Sequence, residues 1–393
     1  MRIQNYDAAV VGAGPIGLFV ANKIAEKNHK VVVFEKNKQI GAPMNCAGLI
    51  TARIFEDFNI PKKDSIQNKI KGAHIHSPSD NILSVGGDKT RALVIDRIKF
   101  DRNIAEMAKQ EKVEILTNNK IDKISRKTEG LKLKNSKKTN FFCKLLIGAD
   151  GPFSTVRKSF EMPEPKEFLY SAGAQVTNVN LEPGFVHIFV GNKVAPGFFA
   201  WIIPTNKKGT TARVGLCTNK TADCSPRQYL DAFFKKKYSS KILKNAKIEK
   251  RLGGAIPIGF IKRNVLDNVM LVGDAAAHVK PTSGGGIFPG LYCANLCSQI
   301  ANKSIKNNNF SSDFLKEYQK ACLETIGKEL SKGMRLRSAF KKLSDKKIDK
   351  YISNFTDERI IEIINTYGDI DFPSKLVKPL LKKPPLLLKF LLK

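Results

Sequence analysis

DAAVVGAGPIGLFVANKIAEKNHKVVVFEK, residues 7–36, decides how the rest of the chain is read. Ala8 to Val11 is a short apolar run, and Gly12-Ala13-Gly14-Pro15-Ile16-Gly17 follows it directly. Apolar residues then recur at helical spacing, with Ile16, Phe19, Val20 and Ile24 on one face. Val31 to Phe34 is a second buried strand, and Glu35 stands at its end. Gly12 permits a tight turn, Gly14 admits a pyrophosphate close to the backbone, and Gly17 lets helix and strand pack closely. The unpaired amides around Pro15 and Ile16, with the helix dipole behind them, attract phosphate. Glu35 is placed to accept hydrogen bonds from a ribose hydroxyl. A bare GxGxxG is weak evidence. Strand before, helix after and acid at the right distance make this one a dinucleotide site.

Working outward, 393 residues hold two or three packed units with ample apolar content for a core. The net charge of +31 is spread along the chain as lysine. It reads as a solvated basic surface or as attraction to anionic membranes or phosphorylated substrates. No nucleic-acid recognition module is present, so nucleic acid is not expected as a partner. Seven cysteines, an odd number with no CxxC pair, fit free thiols in a reducing cytoplasm. No signal peptide is expected ahead of the first strand, and no apolar run reaches the roughly 20 residues a spanning helix needs.

Past Glu35, Lys36 to Thr51 is a glycine-containing loop. Residues 70–85 read as strands, with His74 and His76 alternating. With no third ligand nearby in sequence they belong to a half-exposed strand, and no metal site is expected. Asp96 to Gln110 is an amphipathic helix with Arg97 at its start. FCKLLIGADGPFSTVRK, residues 142–158, is a strand, a turn carrying Asp150, and a helix capped by Ser154. From Phe168 to Cys217, short strands alternate with turn signals, as in an antiparallel sheet. Ser225 to Lys237 is a helix, and Lys247 to Ile256 a strand returning to the first domain. NVMLVGDAAAHVKPTSGGGIFPG, residues 268–290, is a strand ending at Gly273-Asp274, then a glycine loop and a helix from about Ile287. Three glycines before a helix let backbone approach something flat or phosphorylated. The last third is helical and lysine-rich.

These three elements together resemble the flavoprotein class typified by the p-hydroxybenzoate hydroxylase fold. The resemblance implies FAD lying across the nucleotide domain, with Asp150 beside it. It also implies Asp274 on ribityl or ribose hydroxyls and the amides of Gly286 and Ile287 at the flavin pyrimidine edge. Within that class the chain resembles the geranylgeranyl reductase family, particularly the archaeal digeranylgeranylglycerophospholipid reductases. PMNCAGLIT, residues 43–51, is similar to that family's cysteine loop beside the flavin, which places Cys46, Ala47 and Leu49 there. Asp96-Arg97 is similar to its helix-start arginine, which contacts FAD. FAWIIP, residues 199–204, resembles its YxWxFP substrate signature and points to Phe199, Trp201 and Pro204. Phe199 replaces the signature tyrosine and Ile203 its phenylalanine. Tyr367 to Asp371 with Pro373-Ser374 matches its C-terminal pattern.

The implied fold is α/β with an α+β substrate layer: a Rossmann-like FAD-binding domain interrupted by an antiparallel-sheet substrate domain and followed by a helical region. The expected FAD-binding parts are residues 1–160, with a strand insertion near 65–90, and 251–305. The sheet is expected at 161–250 and the helical region at 306–393. The implied activity is FAD-dependent reduction of isoprenoid double bonds in a prenylated glycerophospholipid or polyprenyl substrate. Cys46 is the candidate proton donor. The reductant is NADPH or a protein such as reduced ferredoxin, since no second glycine fingerprint occurs. FAD-dependent monooxygenase or halogenase chemistry on an aromatic substrate is the alternative, and a non-catalytic flavin-binding membrane protein a third. Phe185, Phe189, Phe198, Phe199 and Trp201 are expected to line a tunnel for a prenyl chain. KPLLKKPPLLLKFLLK, residues 378–393, reads either as a packed C-terminal helix or as an interfacial anchor. The latter implies a cytoplasmic protein held peripherally at the inner face of the cell membrane.

Overall fold

The computed structural model describes residues 4–381. The first sheet runs in the order 265–266, 269–271, 140–148, 4–11, 31–34 and 114–116, with the hairpin 121–135 added on strand 140–148. The strands from 269–271 to 114–116 are parallel, and all but the half-buried edge strand 114–116 have apolar runs buried on both faces. Alternate residues serve opposite sides. Ala8, Val10, Val31, Val33, Leu145 and Ile147 meet the helices Pro15–Ala25, Arg97–Gln110 and Ile287–Lys306. Ala9, Val11, Val32, Phe34 and Leu146 meet the hairpin and Val156.

Register aligns the motifs. Phe34 pairs with Leu116 and with Val11, Val11 with Gly148, and Gly148 with Leu271. The chain therefore leaves four of these strands into Glu35, the Gly12 turn, Ala149-Asp150 and Gly273-Asp274 along one edge. Ligands of open α/β sheets bind outside such carboxyl ends.

The second sheet has seven strands, in the order 247–258, 167–177, 211–218, 199–204, 185–190, 72–76 and 82–86. Two expectations about boundaries are corrected here. Of the segment near 65–90, strands Gly72–His76 and Ile82–Gly86 are no insertion in the first domain. They form one edge of this sheet, Gly72–His76 running parallel to Phe185–Val190 and Ile82–Gly86 antiparallel to Gly72–His76. Lys247–Ile258 pairs along its length with Glu167–Thr177, so a boundary at 250 falls inside a strand. One face, with Ala200, Ile202, Val214 and Leu216, packs against Leu230 and Phe233 of the helix Pro226–Lys235. The other, with Trp201 and Ile203, packs on Ala47, Leu49 and Val94 of the first domain. A third sheet has the strand order 49–50, 92–95 and 66–70, and the C-terminal part is helical: 312–324, 326–340, 345–354, 358–367 and 377–381. No helix among the described residues is long and apolar enough to cross a membrane. From residue 382 on, the leucine- and lysine-rich tail lies outside the described residues.

Candidate active site

The glycine turn is built as its spacing predicts. Gly12 has φ +107°, and a Cβ there would lie 2.4 Å from the Ala149 carbonyl oxygen. A Cβ on Gly17 would lie 2.1 Å from the Gly12 carbonyl oxygen, whereas one on Gly14 would meet nothing within 4 Å. The outer two glycines thus serve packing, and Gly14 faces open space. Pro15 begins the following helix, which has no side-chain cap on its first-turn amides. Glu35 accepts from the Ala13 amide at 2.9 Å and the Asn37 amide at 2.8 Å, so it braces the turn from within. Its carboxylate also borders a cavity of about 220 Å³ shared with Gly14, Cys46, Arg97 and Asp101. A larger surface cleft of about 610 Å³, lined by Asp88, Lys89, Arg91 and Glu358 among others, includes none of the expected site residues.

Arg97 follows its cap Asp96, whose carboxylate accepts from the amides of Ile98 and Lys99. The Arg97 guanidinium grips Asp101 through two hydrogen bonds of 3.1 Å and lines the same cavity as Cys46. Burial pushes the Asp101 carboxyl up to about 6 against the pull of Arg97. The Cys46 sulfur accepts from the Gly48 amide at 3.3 Å.

The two aspartates at the other strand ends differ. Asp150 accepts from the amides of Thr155 and Val156 with one oxygen, while its other oxygen is buried without a hydrogen-bond partner. Ser154 caps the Arg157 amide, as expected from the sequence. Burial pushes Asp274 up to about 6, with Arg97 acting in the opposite sense. Gly286 precedes the uncapped helix Ile287–Lys306, and a Cβ on it would lie 2.9 Å from an Asp274 carboxylate oxygen. The second loop is therefore closed over Asp274.

Support for that loop comes from the C-terminal segment. Lys280 donates to Asp371 at 2.8 Å and to the Ile370 carbonyl at 3.0 Å, and both charged side chains are buried. Thr51 donates to the other Asp371 oxygen, and Arg53 pairs with Asp369 at 3.0 Å. Ser374 donates to Glu329. This is the structural content of the pattern at 367–374: it ties the cysteine loop, the glycine loop and the helix Ile326–Phe340 together.

On the substrate sheet, Phe198 stacks on Phe199 at 4.3 Å, and Phe199 meets Trp201 edge-on at 6.0 Å. Trp201 lies over Gly215, where a Cβ would be 2.5 Å from the indole. The remaining expected lining residues are elsewhere. Strand alternation sends Pro204 to the side of Ala200 and Ile202, and its carbonyl accepts from Asn68. Phe189 is buried on that outer side against His76 and Phe233, and Phe185 stacks on His74. The fold also supplies the third histidine absent from the local sequence: His187 lies 3.0 Å from the His76 ring nitrogen, beside His74.

Sequence reading missed Arg213. A guanidinium in the apolar strand TARVGLCT was its signal, together with a mid-strand glycine two residues on. One further group, His278, Cys293 and Cys322, has its potential ligand atoms within 4.8 Å of one another and is buried. His278 Nδ1 accepts from the Gly273 amide, which puts the ring proton on Nε2 and takes away the lone pair a metal would need there.

A family described as FAD binding domain matches residues 5–328. The digeranylgeranylglycerophospholipid reductase of Methanocaldococcus jannaschii is 32% identical over 398 residues, spanning 98% of this chain and 97% of its own. A geranylgeranyl bacteriochlorophyll reductase-like protein from Thermoplasma acidophilum superposes with a TM-score of 0.87 at 22% identity, over 99% of both chains. A point mutant of the halogenase PltM in complex with FAD superposes with a TM-score of 0.71 at 13% identity, over 98% of this chain and 91% of its own. At those identities the two structures speak for a shared fold alone.

Proposed function

The chain belongs to the FAD-binding flavoprotein family and, within it, to that of the digeranylgeranylglycerophospholipid reductases; from that premise we propose that it reduces isoprenoid double bonds in the geranylgeranyl chains of membrane-lipid precursors. The observation that carries this reading is the wall opposite the cysteine loop. Trp201 and Ile203 share an apolar cluster with Ala47 and Leu49, and Phe199 extends it toward Val279. Such a surface suits a chain with no polar handle. Monooxygenase or halogenase chemistry has only the fold behind it.

The residues present fit FAD. Gly14 leaves its Cβ space open, and the helix beginning at Pro15 presents uncapped amides to a pyrophosphate. Glu35 retains acceptor capacity toward the cavity for a ribose hydroxyl, and Asp150 has an oxygen without a partner. Gly12 and Gly17 shape the turn. Asp274, Gly286 and Ile287 stand at the second loop for the ribityl chain and ring, with Arg97, Cys46, Ala47 and Leu49 across from them.

When bound, FAD supplies the hydride that alkene reduction consumes. An isoprenoid double bond is unpolarised, so the chain must also deliver a proton to one carbon. Cys46 Sγ is the group we assign to hold that proton. The Trp201 face stabilises positive charge developing at the tertiary carbon. The dipole of the helix beginning at Ile287 favours negative charge near its first turn. Electrons come from NADPH bound transiently or from reduced ferredoxin.

A lipid with two long chains is taken from a bilayer, so the working surface is the cytoplasmic face of the membrane. Tyr367, Ile370 and Val377 are exposed beside Lys375 and Lys378, which supplies apolar and cationic contributions to interfacial binding. The test is mass spectrometry of a digeranylgeranyl glycerophospholipid incubated anaerobically with reduced protein. Uptake of one molecule of hydrogen per double bond is expected. An unchanged lipid, together with oxygen-dependent hydroxylation of an aromatic acid, overturns the reading.

A further inference from the structure

Arg213 is 2% exposed and projects from the strand Thr211–Thr218 toward the first domain. No ion pair among the described residues includes it. Its Nη1 donates to the carbonyls of Ala47 and Ile95, each at 2.9 Å, and its Nη2 donates to Gln67 at 2.6 Å. Stripping a guanidinium of water costs several kcal/mol, and a methionine would fill the same space without that cost. What the charge gains is a grip on two particular carbonyls. Ala47 follows Cys46, and Ile95 precedes Asp96-Arg97, whose Arg97 lines the same cavity as Cys46. The Ile95 amide closes the ring by donating to the Gly48 carbonyl at 2.8 Å. Gly48 has φ +70°, and a Cβ on it would lie 2.1 Å from Arg213 Nη1, so the loop is shaped around the guanidinium.

The same strand carries Gly215, on which Trp201 rests, and Arg213 pairs in register with Ile203. We propose that Arg213 is a positioning residue that couples the substrate sheet to the cysteine loop, setting Cys46 relative to a prenyl chain lying on Trp201. This rests on the reductase reading for the substrate, but not for the grip itself. Displacement of the strand by bound lipid is passed through one rigid fork to the loop that holds Cys46.

The experiment compares the wild-type holoprotein with Arg213→Lys, which keeps the charge and loses the fork, and Arg213→Met. Flavin content, the rate of flavin reduction by dithionite, and alkene reduction per bound flavin are measured. The rate of Cys46 alkylation by iodoacetamide is read by peptide mapping, which separates it from exposed Cys224. Expected in both variants are near-normal dithionite reduction and a fall of about 10- to 100-fold in kcat for alkene reduction, with KM changed far less. Faster alkylation of Cys46 is also expected. Where these variants fail to fold, Gln67→Met removes only the third contact, and a smaller change in the same directions is expected. Flavin content and melting temperature that fall together, with turnover per bound flavin and Cys46 alkylation unchanged, overturn the proposal. Wild-type protein inactive on alkenes sinks the reductase reading instead, and the alkylation rates still decide the grip.

Discussion

Two loops meet at the edge of the first sheet, and they are held in opposite ways. The Gly12–Gly17 turn is braced by its own surroundings: strand 4–11, Glu35 one strand on, and the Ala149 backbone against Gly12. The Lys280–Gly286 loop is held largely from outside, by an aspartate 91 positions away in sequence from Lys280. Its local contacts are the Lys280 amide on the Gly285 carbonyl and the Gly284 amide on the Lys280 carbonyl. The difference shows that a motif and the support for a motif are separate properties of a chain. One loop takes its hydrogen-bonded brace from nearby Glu35, with only the Ala149 backbone coming from afar; the other borrows its brace from Asp371.

The strongest way to break the comparison is to damage the self-supporting loop. Gly12→Val forces a β-branched residue to φ +107° and into the Ala149 carbonyl. We expect a loss of more than about 4 kcal/mol or failure to fold, read from denaturant unfolding and flavin content. A variant that melts normally and retains flavin would mean the turn has slack that the geometry denies.

Asp371→Ala tests the borrowed support and should cost about 3 to 5 kcal/mol, because it leaves the Lys280 charge buried without its partner. The sharper form is the pair Lys280→Met with Asp371→Leu, which removes both charges. Stability should recover substantially, while flavin retention should recover less if the pair also orients the glycine loop. Equal recovery of both would reduce the pair to packing.

The smallest effect is a pH dependence. Burial raises both Asp101 and Asp274 from 3.8 to about 6, so the folded protein binds protons there that the unfolded chain has released. The contribution of these two groups to stability is fullest below about 4 and is lost as pH rises through 6. Asp274→Asn should flatten the flavin-free protein's stability between pH 4 and 6 by about 1 to 3 kcal/mol. An unaltered slope would place the titration elsewhere.

The same contrast explains what the sequence made legible. The first turn was readable to the residue because its physics is local: small residues where backbones touch and an acid where a strand stops. The order of the three motifs was readable, but their convergence needed the register that puts Val11, Gly148 and Leu271 abreast. Arg213 and Asp371 were illegible as supports, since hydrogen-bond partners 118 and 91 positions away leave no periodic trace. Strand parity was readable in principle and misused: Phe199 and Trp201 share a face that Pro204, an odd number of positions away, cannot. The strands at 72–76 and 82–86 are legible as strands but not as part of the substrate sheet, because a parallel partner far along the chain has no turn to announce it.

The sheet order has a consequence for the growing chain on the ribosome. Strand 269–271 lies against strand 140–148, but the ribosome makes five of the seven strands of the substrate sheet between them. A nascent chain that has just finished its first 160 residues owns the glycine fingerprint and Glu35, but it lacks Asp274 and the helix 287–306 that covers Pro15–Ala25. On the side away from strand 4–11 the hairpin covers residues 140–143, but Leu146 to Gly148 stay unpaired throughout that interval, in a sequence apolar enough to attract other strands. Cofactor capture is therefore a late event of synthesis, and the exposed edge is the point at which a chaperone has most to protect.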